Sequence, residues 1–331
     1  LKMFFGVYMI MVFDPQILFN DGFYDLVEVR IPEGSLLKPK FPAALSCRTH
    51  ALGRIFDVLG ALLGQRAPEF LNAAGFSSSP HLMLSGSYRG TGKYYQLFQI
   101  GFGGIPGRPF GDGADGHSLW PNFTNVPNEF LEAYFPLRIE RYESIVDSGG
   151  AGKHRGGNGI RISYRFLEPG MFAIHDDRWL IKPWGVNGGD PGLRSRKILV
   201  KRDGSTRILP SKCDDIEVEP GDLLHYDTWG GGGWGDPTER PQEAVGLDVR
   251  RGLISVEGAE RYGVLCAANG EVDAGGTAAL RASMRASRGA PLLFNTGGTV
   301  EELRARCEQE TGLPAPVAPR RPSEPERVAA Q

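Results

Sequence analysis

Two short stretches concentrate the side chains with which this chain can do chemistry. In Asp112-Gly113-Ala114-Asp115-Gly116-His117, two carboxylates and an imidazole fall within one flexible hexapeptide, a set suited to a hard or borderline cation or to proton transfer. Asp and Gly are also common turn formers, so the same residues equally describe a polar turn with a surface histidine. The second stretch, His175-Asp176-Asp177-Arg178, closes an expected strand. There His175 can act as acid or base near neutral pH, and Arg178 can grip a carboxylate or phosphate with two parallel N–H donors. The alternative is an internal pair of Asp177 with Arg178 that orders a loop.

His154 and Arg155 lie in Gly149-Gly150-Ala151-Gly152-Lys153-His154-Arg155-Gly156-Gly157-Asn158-Gly159, where consecutive backbone amides can form an anion-binding nest. Gly230, Gly231, Gly232 and Gly233 follow one another between Trp229 and Trp234. Glycine loses more backbone entropy on folding than any other residue, and permits either φ > 0 or close approach of a neighbour. With an indole on each side, the run reads as an ordered loop that something approaches closely, and as lining for a site.

Nucleotide motifs fail on spacing. Gly86-Ser87-Tyr88-Arg89-Gly90-Thr91-Gly92-Lys93 has one residue too many for a P-loop, and Tyr94 stands where Ser or Thr would hold magnesium. Pro106 occupies the third glycine position of a dinucleotide fingerprint that would begin at Gly101. No serine sits in Gly-x-Ser-x-Gly, and no cysteine lies in a recognisable catalytic context.

The elements that must position these residues follow from periodicity. Residues 26–31 alternate as a strand ending at Pro32-Glu33-Gly34. Leu52, Ile55, Phe56, Leu59, Leu62 and Leu63 recur at helical spacing, with Ser46 as N-cap and Pro68 beyond the end, and predict a core helix. Short strands joined by loops are expected between Ser77 and Gly116, and a short helix over 126–135. Ile160, Ile162, Tyr164 and Phe166 alternate with polar residues as a half-buried strand. Strands follow at 172–175, 197–201, 207–209, 216–218 and 223–226, with Asp203-Gly204 as a hairpin turn. Helices are expected at 242–249, 256–262 and 277–286. The order predicts an α+β fold, with a strand-rich, glycine-loop-rich middle between a core helix near the N-terminus and short C-terminal helices. Residues 1–312 read as one unit, and the proline- and charge-rich 313–331 as a disordered tail.

The chain has 331 residues, 41% of them hydrophobic, and a formal net charge of −2 with signs interspersed. That balance leaves no electrostatic footprint for nucleic acid or an anionic membrane. Cys47, Cys213, Cys266 and Cys307 are far apart and indicate neither a zinc ribbon nor a disulfide framework, which fits the cytoplasm. The apolar run over residues 3–13 is too short to span a bilayer. It has no polar lead-in, which suggests that a longer natural protein has lost its beginning.

Taken together, Asp147 through Gly159, Tyr164 through Gly170, Asp177-Arg178, Pro183 through Gly189 and the four-glycine run resemble the hydantoinase B/oxoprolinase family. Pro32 through Leu37, Phe41 through Ala44 and residues 125–136 resemble it in the same order. The resemblance implies a β-type subunit of an ATP-dependent enzyme that opens a cyclic amide such as a hydantoin, 5-oxoproline or a lactam. A subunit of an ATP-dependent ketone carboxylase is the alternative, and a non-catalytic truncated remnant is another. It further implies that a hydantoinase A-type partner binds ATP, in keeping with the failed P-loop match. The family's Asn-Asp-Pro-Tyr segment and His-x-x-Asp metal motif have no counterpart here, so ligands for any divalent metal are expected in a missing N-terminal portion.

Overall fold

The computed structural model describes residues 2–317, except 3–4, 7–8, 11–13, 15, 19, 44, 46–47, 76–79, 118–123 and 125. Most of the apolar run at 3–13, the Ser46 cap and residues 318–331 of the expected tail lie outside the described residues. In chain order the elements are α1 (Asp21–Asp25), α2 (Arg48–Gly64), β1 (His81–Ser87), β2 (Tyr94–Ile100), α3 (Asn128–Tyr134), β3 (Leu137–Ser144), β4 (Ile160–Phe166), β5 (Gly170–His175), β6 (Gly185–Val186), β7 (Arg196–Val200), β8 (Thr206–Leu209), β9 (Lys212–Val218), β10 (Leu223–Asp227), α4 (Gln242–Arg250), α5 (Val256–Ala259), α6 (Ala274–Ser287), β11 (Phe294–Asn295) and α7 (Val300–Thr311). The fold is α+β, as expected.

Period-two alternation builds two antiparallel sheets, ordered β2-β1-β5-β9 and β3-β4-β10-β7-β8. Leu82, Leu84, Phe172, Ile174 and Ile216 of the first meet Ile162, Tyr164, Phe166, Leu199 and Leu224 of the second in one apolar core. Phe166 stacks on Phe172 across it, ring centroids 5.7 Å apart. The chain changes sheets between β4 and β5 at Glu168-Pro169-Gly170, where the Tyr95 hydroxyl donates to the Pro169 carbonyl at 2.8 Å. Asp203-Gly204 turns β7 into β8, with Gly204 at φ 86°.

Residues 26–31 do not form the expected strand. No described strand offers them a ladder, and alternation without a hydrogen-bonded partner does not make a sheet. Residues 26–30 instead wall a mostly apolar cavity of about 490 Å³ with Ile55 and Leu59 of α2. Helix α2 forms where its spacing predicts, but its buried face is Gly53, Phe56, Gly60 and Gly64, while Leu62 stays 58% exposed. Small residues let the helix backbone settle closely, and the bulkier leucines are displaced to its flank. The chain after Gly312 continues to Val317 with Ala315 buried.

The glycines form the structural centre of the middle region. Gly230, Gly231, Gly232 and Gly233 are all buried, and none has a positive φ. What they provide is close approach, and the approaching atoms are the chain's own backbone. A Cβ on Gly230 would stand 1.8 Å from the Ser148 oxygen, on Gly231 2.2 Å from that of Ile105, on Gly232 2.1 Å from that of Trp184, and on Gly233 2.1 Å from that of Ala151. The segments are tied by amide hydrogen bonds: Gly104 donates to Trp229, Gly107 to Gly232, Gly150 to Gly231, Gly231 to Gly157, Gly232 to Ala74, and Gly233 to Asp190, all at 2.8–2.9 Å. The indoles anchor the run, with Trp234 Nε1 donating to the Leu71 carbonyl at 2.8 Å and Trp229 Nε1 to that of Gly75 at 3.3 Å. Beyond it, α4 and α5 pack their own small core against Ala151.

This packing distinguishes two kinds of glycine. Gly230→Ala forces a methyl into backbone and is expected to cost about 3 kcal/mol or more, whereas Gly90→Ala, with nothing within 4 Å, should stay within about 0.5 kcal/mol of the parent. Urea unfolding of both variants measures the difference.

Candidate functional site

On α2, His50, Arg54 and Asp57 are spaced i, i+4, i+7 and share one face. That face meets the end of β5 and the turn after it. Arg54 reaches Asp57 at 2.8 Å and Asp177 at 3.0 Å, and the Asp57 carboxylate accepts from Arg178. Arg178 is 3% exposed, lies 5.0 Å over the Trp184 ring, and adopts φ 57°. A left-handed backbone costs a non-glycine residue about 1 kcal/mol, here offset where the Arg178 amide donates to Asp177 at 2.8 Å. Burial, reinforced by Arg54, pulls the Arg178 guanidinium down to about 10. For Asp177, burial works against ionisation, but Arg54 and Arg178 prevail and hold it below the usual carboxylate range.

Three histidines converge beside this quartet of charges. His81 pairs with His175 across β1 and β5, and the His50 ring meets His81 edge-on, centroids 4.9 Å apart. His50 Nε2 donates to the His175 carbonyl at 3.2 Å. His175 Nε2 stands 3.3 Å from Asp214. Burial lowers His50, and burial together with His50 and His175 brings His81 to about 4.

The first stretch singled out in the sequence lies in a separate charge network at the glycine array. Arg155 holds Asp115 through two hydrogen bonds, at 2.7 and 2.9 Å, and its amide donates to Asp112. Arg240 holds Asp112 through two at 2.7 Å and also donates to Asp248 of α4 at 2.8 Å. His154 Nδ1 is 3.8 Å from Asp112. His117 sits exposed at the loop's end, its backbone paired with Gly103. The amides of 149–159 are largely spent internally: those of Gly149, Arg155 and Asn158 go to side chains, and those of Gly150, His154, Gly156 and Gly157 to carbonyls. They do not form an open nest. A cavity of about 390 Å³ beside Trp234 is lined by Lys153, Asp236, Glu239, Arg285 and Arg288, with Arg288 paired to Asp236 and Lys153 to Glu239.

The guanidinium forks of Arg178 and Arg155 are thus engaged by Asp57 and Asp115. His175 and His154 are partly exposed imidazoles, each beside a carboxylate, and imidazoles of this kind can exchange protons with a ligand. Among the described residues no group of three or more His, Cys, Asp or Glu is arranged to hold a metal ion. Deep in the core, Lys197 pairs with Asp176, donates to the Asp227 carbonyl at 2.9 Å and lies 4.3 Å from the Tyr226 ring centroid. His50, Arg54 and Asp57 had a legible signal, a polar stripe at helical spacing on an apolar helix. Nothing local in sequence marks His81, Lys197, Arg240 or Asp248.

Comparison with known proteins places this architecture. The chain is 37% identical over 251 residues to an uncharacterised protein of Methanocaldococcus jannaschii, covering 76% of this chain and 43% of that one. It is 32% identical over 259 residues to a putative D-/L-hydantoinase B-type subunit of a Pseudomonas species, covering 77% and 43%. The crystal structure of ATP-dependent caprolactamase from Pseudomonas jessenii superposes with a TM-score of 0.70 at 27% identity, over 84% of this chain and 50% of that one. Nucleotide-free acetone carboxylase shares the fold, with a TM-score of 0.71 at 23% identity over 93% and 46%. The chain therefore spans about half the length of the relatives it matches or less. The hydantoinase B/oxoprolinase family profile matches residues 1–237, a stretch that contains both sheets, the four-glycine run and the α2–β5 site, and the chain belongs to that family.

Proposed function

We propose that this chain serves as a β-type subunit of an ATP-dependent hydrolase of cyclic amides such as hydantoins, 5-oxoproline or lactams, working with a hydantoinase A-type partner that binds ATP. The observation that carries this reading is the joint match to a hydantoinase B-type relative and to the caprolactamase structure, over 77% and 84% of this chain. An unstrained amide opens slowly in water, and ATP spent on its oxygen turns the ring carbon into a reactive electrophile. In this reading His175 and His154 carry protons, and Asp57, Arg54, Asp177 and Arg178 hold the turn that presents His175. The same reading assigns the assembly to the cytoplasm, where ATP is at hand; no described helix is long and apolar enough to cross a membrane.

The test combines the complete assembly, ATP and a panel of hydantoin, 5-oxoproline and caprolactam. ADP release coupled to ring opening is expected, and bicarbonate fixed into a ketone instead would replace this reading with a carboxylase. In that assembly His175→Gln should lower kcat by about 10²-fold with an unchanged melting temperature. An unaltered kcat removes His175 from the chemistry. Arg178→Ala leaves the Asp57 carboxylate with Arg54 as its remaining partner and is expected to cost about 2 kcal/mol in urea unfolding.

A further inference from the structure

We propose that His50, His81 and His175 form a pH-sensitive latch that holds α2 on the first sheet at neutral pH and releases it on acidification. Strand β1 sends Leu82 and Leu84 into the core, so His81 and Met83 lie on the opposite face of the sheet. His81 is nonetheless 7% exposed, enclosed by the His50 ring above, Phe98 of β2 at 4.7 Å and His175 of β5 beside it. The helix face that covers it also delivers Arg54 to Asp177 and Asp57 to Arg178. Undocking would therefore dismantle the whole quartet in one step.

The groups facing the cluster come from four elements. Helix α2 brings His50, Arg54 and Asp57; β1 brings His81; β5 and its turn bring His175, Asp176, Asp177 and Arg178; β9 brings Lys212, whose charge disfavours protonation of His50, and Asp214, whose carboxylate stands 3.3 Å from His175 Nε2. Asp176 is already committed to Lys197. Asp177 is held below the usual carboxylate range, so it keeps its charge while His50 and His81 titrate. Three imidazoles gathered this closely cannot all become cations without loss of contact.

The sign follows from linkage. A histidine depressed in the docked state, as His81 is, leaves docking fully favoured above the ordinary value of 6.5 and progressively weakened as pH falls towards 4. That shift corresponds to a docking equilibrium weakened on the order of 10²-fold at the acid end.

Hydrogen exchange of the full chain at pH 7.5 and pH 5.0, corrected for intrinsic rates, reads the latch directly. Protection over residues 50–62 should fall by about 10-fold or more at pH 5.0, while β4 keeps its protection. His81→Phe, which preserves the aromatic contact with Phe98, should keep α2 protected at pH 5.0. His50→Gln, which preserves a donor for the His175 carbonyl, should flatten the pH response as well, and decides the matter if the first variant loses β4 protection. No fall in the parent chain, or the same fall in both variants, overturns the proposal.

Discussion

The constraint on which the structure depends is that carbonyl oxygens of one segment occupy the space where the Cβ atoms of the next would be. Around the four-glycine run this happens at every residue, with Ser148, Ile105, Trp184 and Ala151 supplying the intruding oxygens. Buried amides must find acceptors, and segments without side chains can come close enough to supply them to one another without sheet geometry. The cost is the backbone entropy of many ordered glycines. The gain is a layer in which strand-derived segments, the 71–75 segment and the loop before β6 share one network of main-chain bonds.

Charged side chains are placed where that layer meets other elements. Arg155 and Arg240 cross-link the array to α4 through Asp112, Asp115 and Asp248, and Arg178 ties the turn after β5 to α2 through Asp57. Each guanidinium is almost wholly buried and each is matched by a carboxylate, as the cost of an unpaired buried charge demands. Pairing of this kind adds little net stability compared with apolar packing, but it discriminates sharply against misplacement, because a shift in register leaves several charges stranded together. Arginine suits the task, since one planar fork can satisfy two acceptors at once.

Alternation and turn chemistry made most strands legible: Ile160 to Phe166 and the Asp203-Gly204 hairpin stand where their patterns put them. The Thr299-x-x-Glu302 capping box is equally plain in the sequence and marks α7, which periodicity alone did not suggest because the helix is mostly polar. Residues 26–31 show the limit of alternation, which reports a half-buried surface but not whether a neighbour exists to pair with it. The glycine run showed that something approaches closely but not what, since a residue without a side chain carries no pattern that names its partner. The charges at Asp112 and Asp177 were visible, whereas Arg240, which grips Asp112, and Asp57, which grips Arg178, lie 128 and 121 residues away from the groups they hold.

The three histidines make that last point most sharply. They come from a helix, a strand start and a strand end, and only the pairing of β1 with β5 and the docking of α2 bring them together. The same face of α2 carries the arginine and the aspartate that complete the turn after β5, with Gly64 at the helix end settling the backbone close to Leu71. One helix therefore supplies both titratable contacts, which respond to acidification, and ion pairs, which do not. Because both sets sit on one rigid element, the titratable contacts cannot open without pulling on the ion pairs, and a proton taken up at His81 is felt at Arg178.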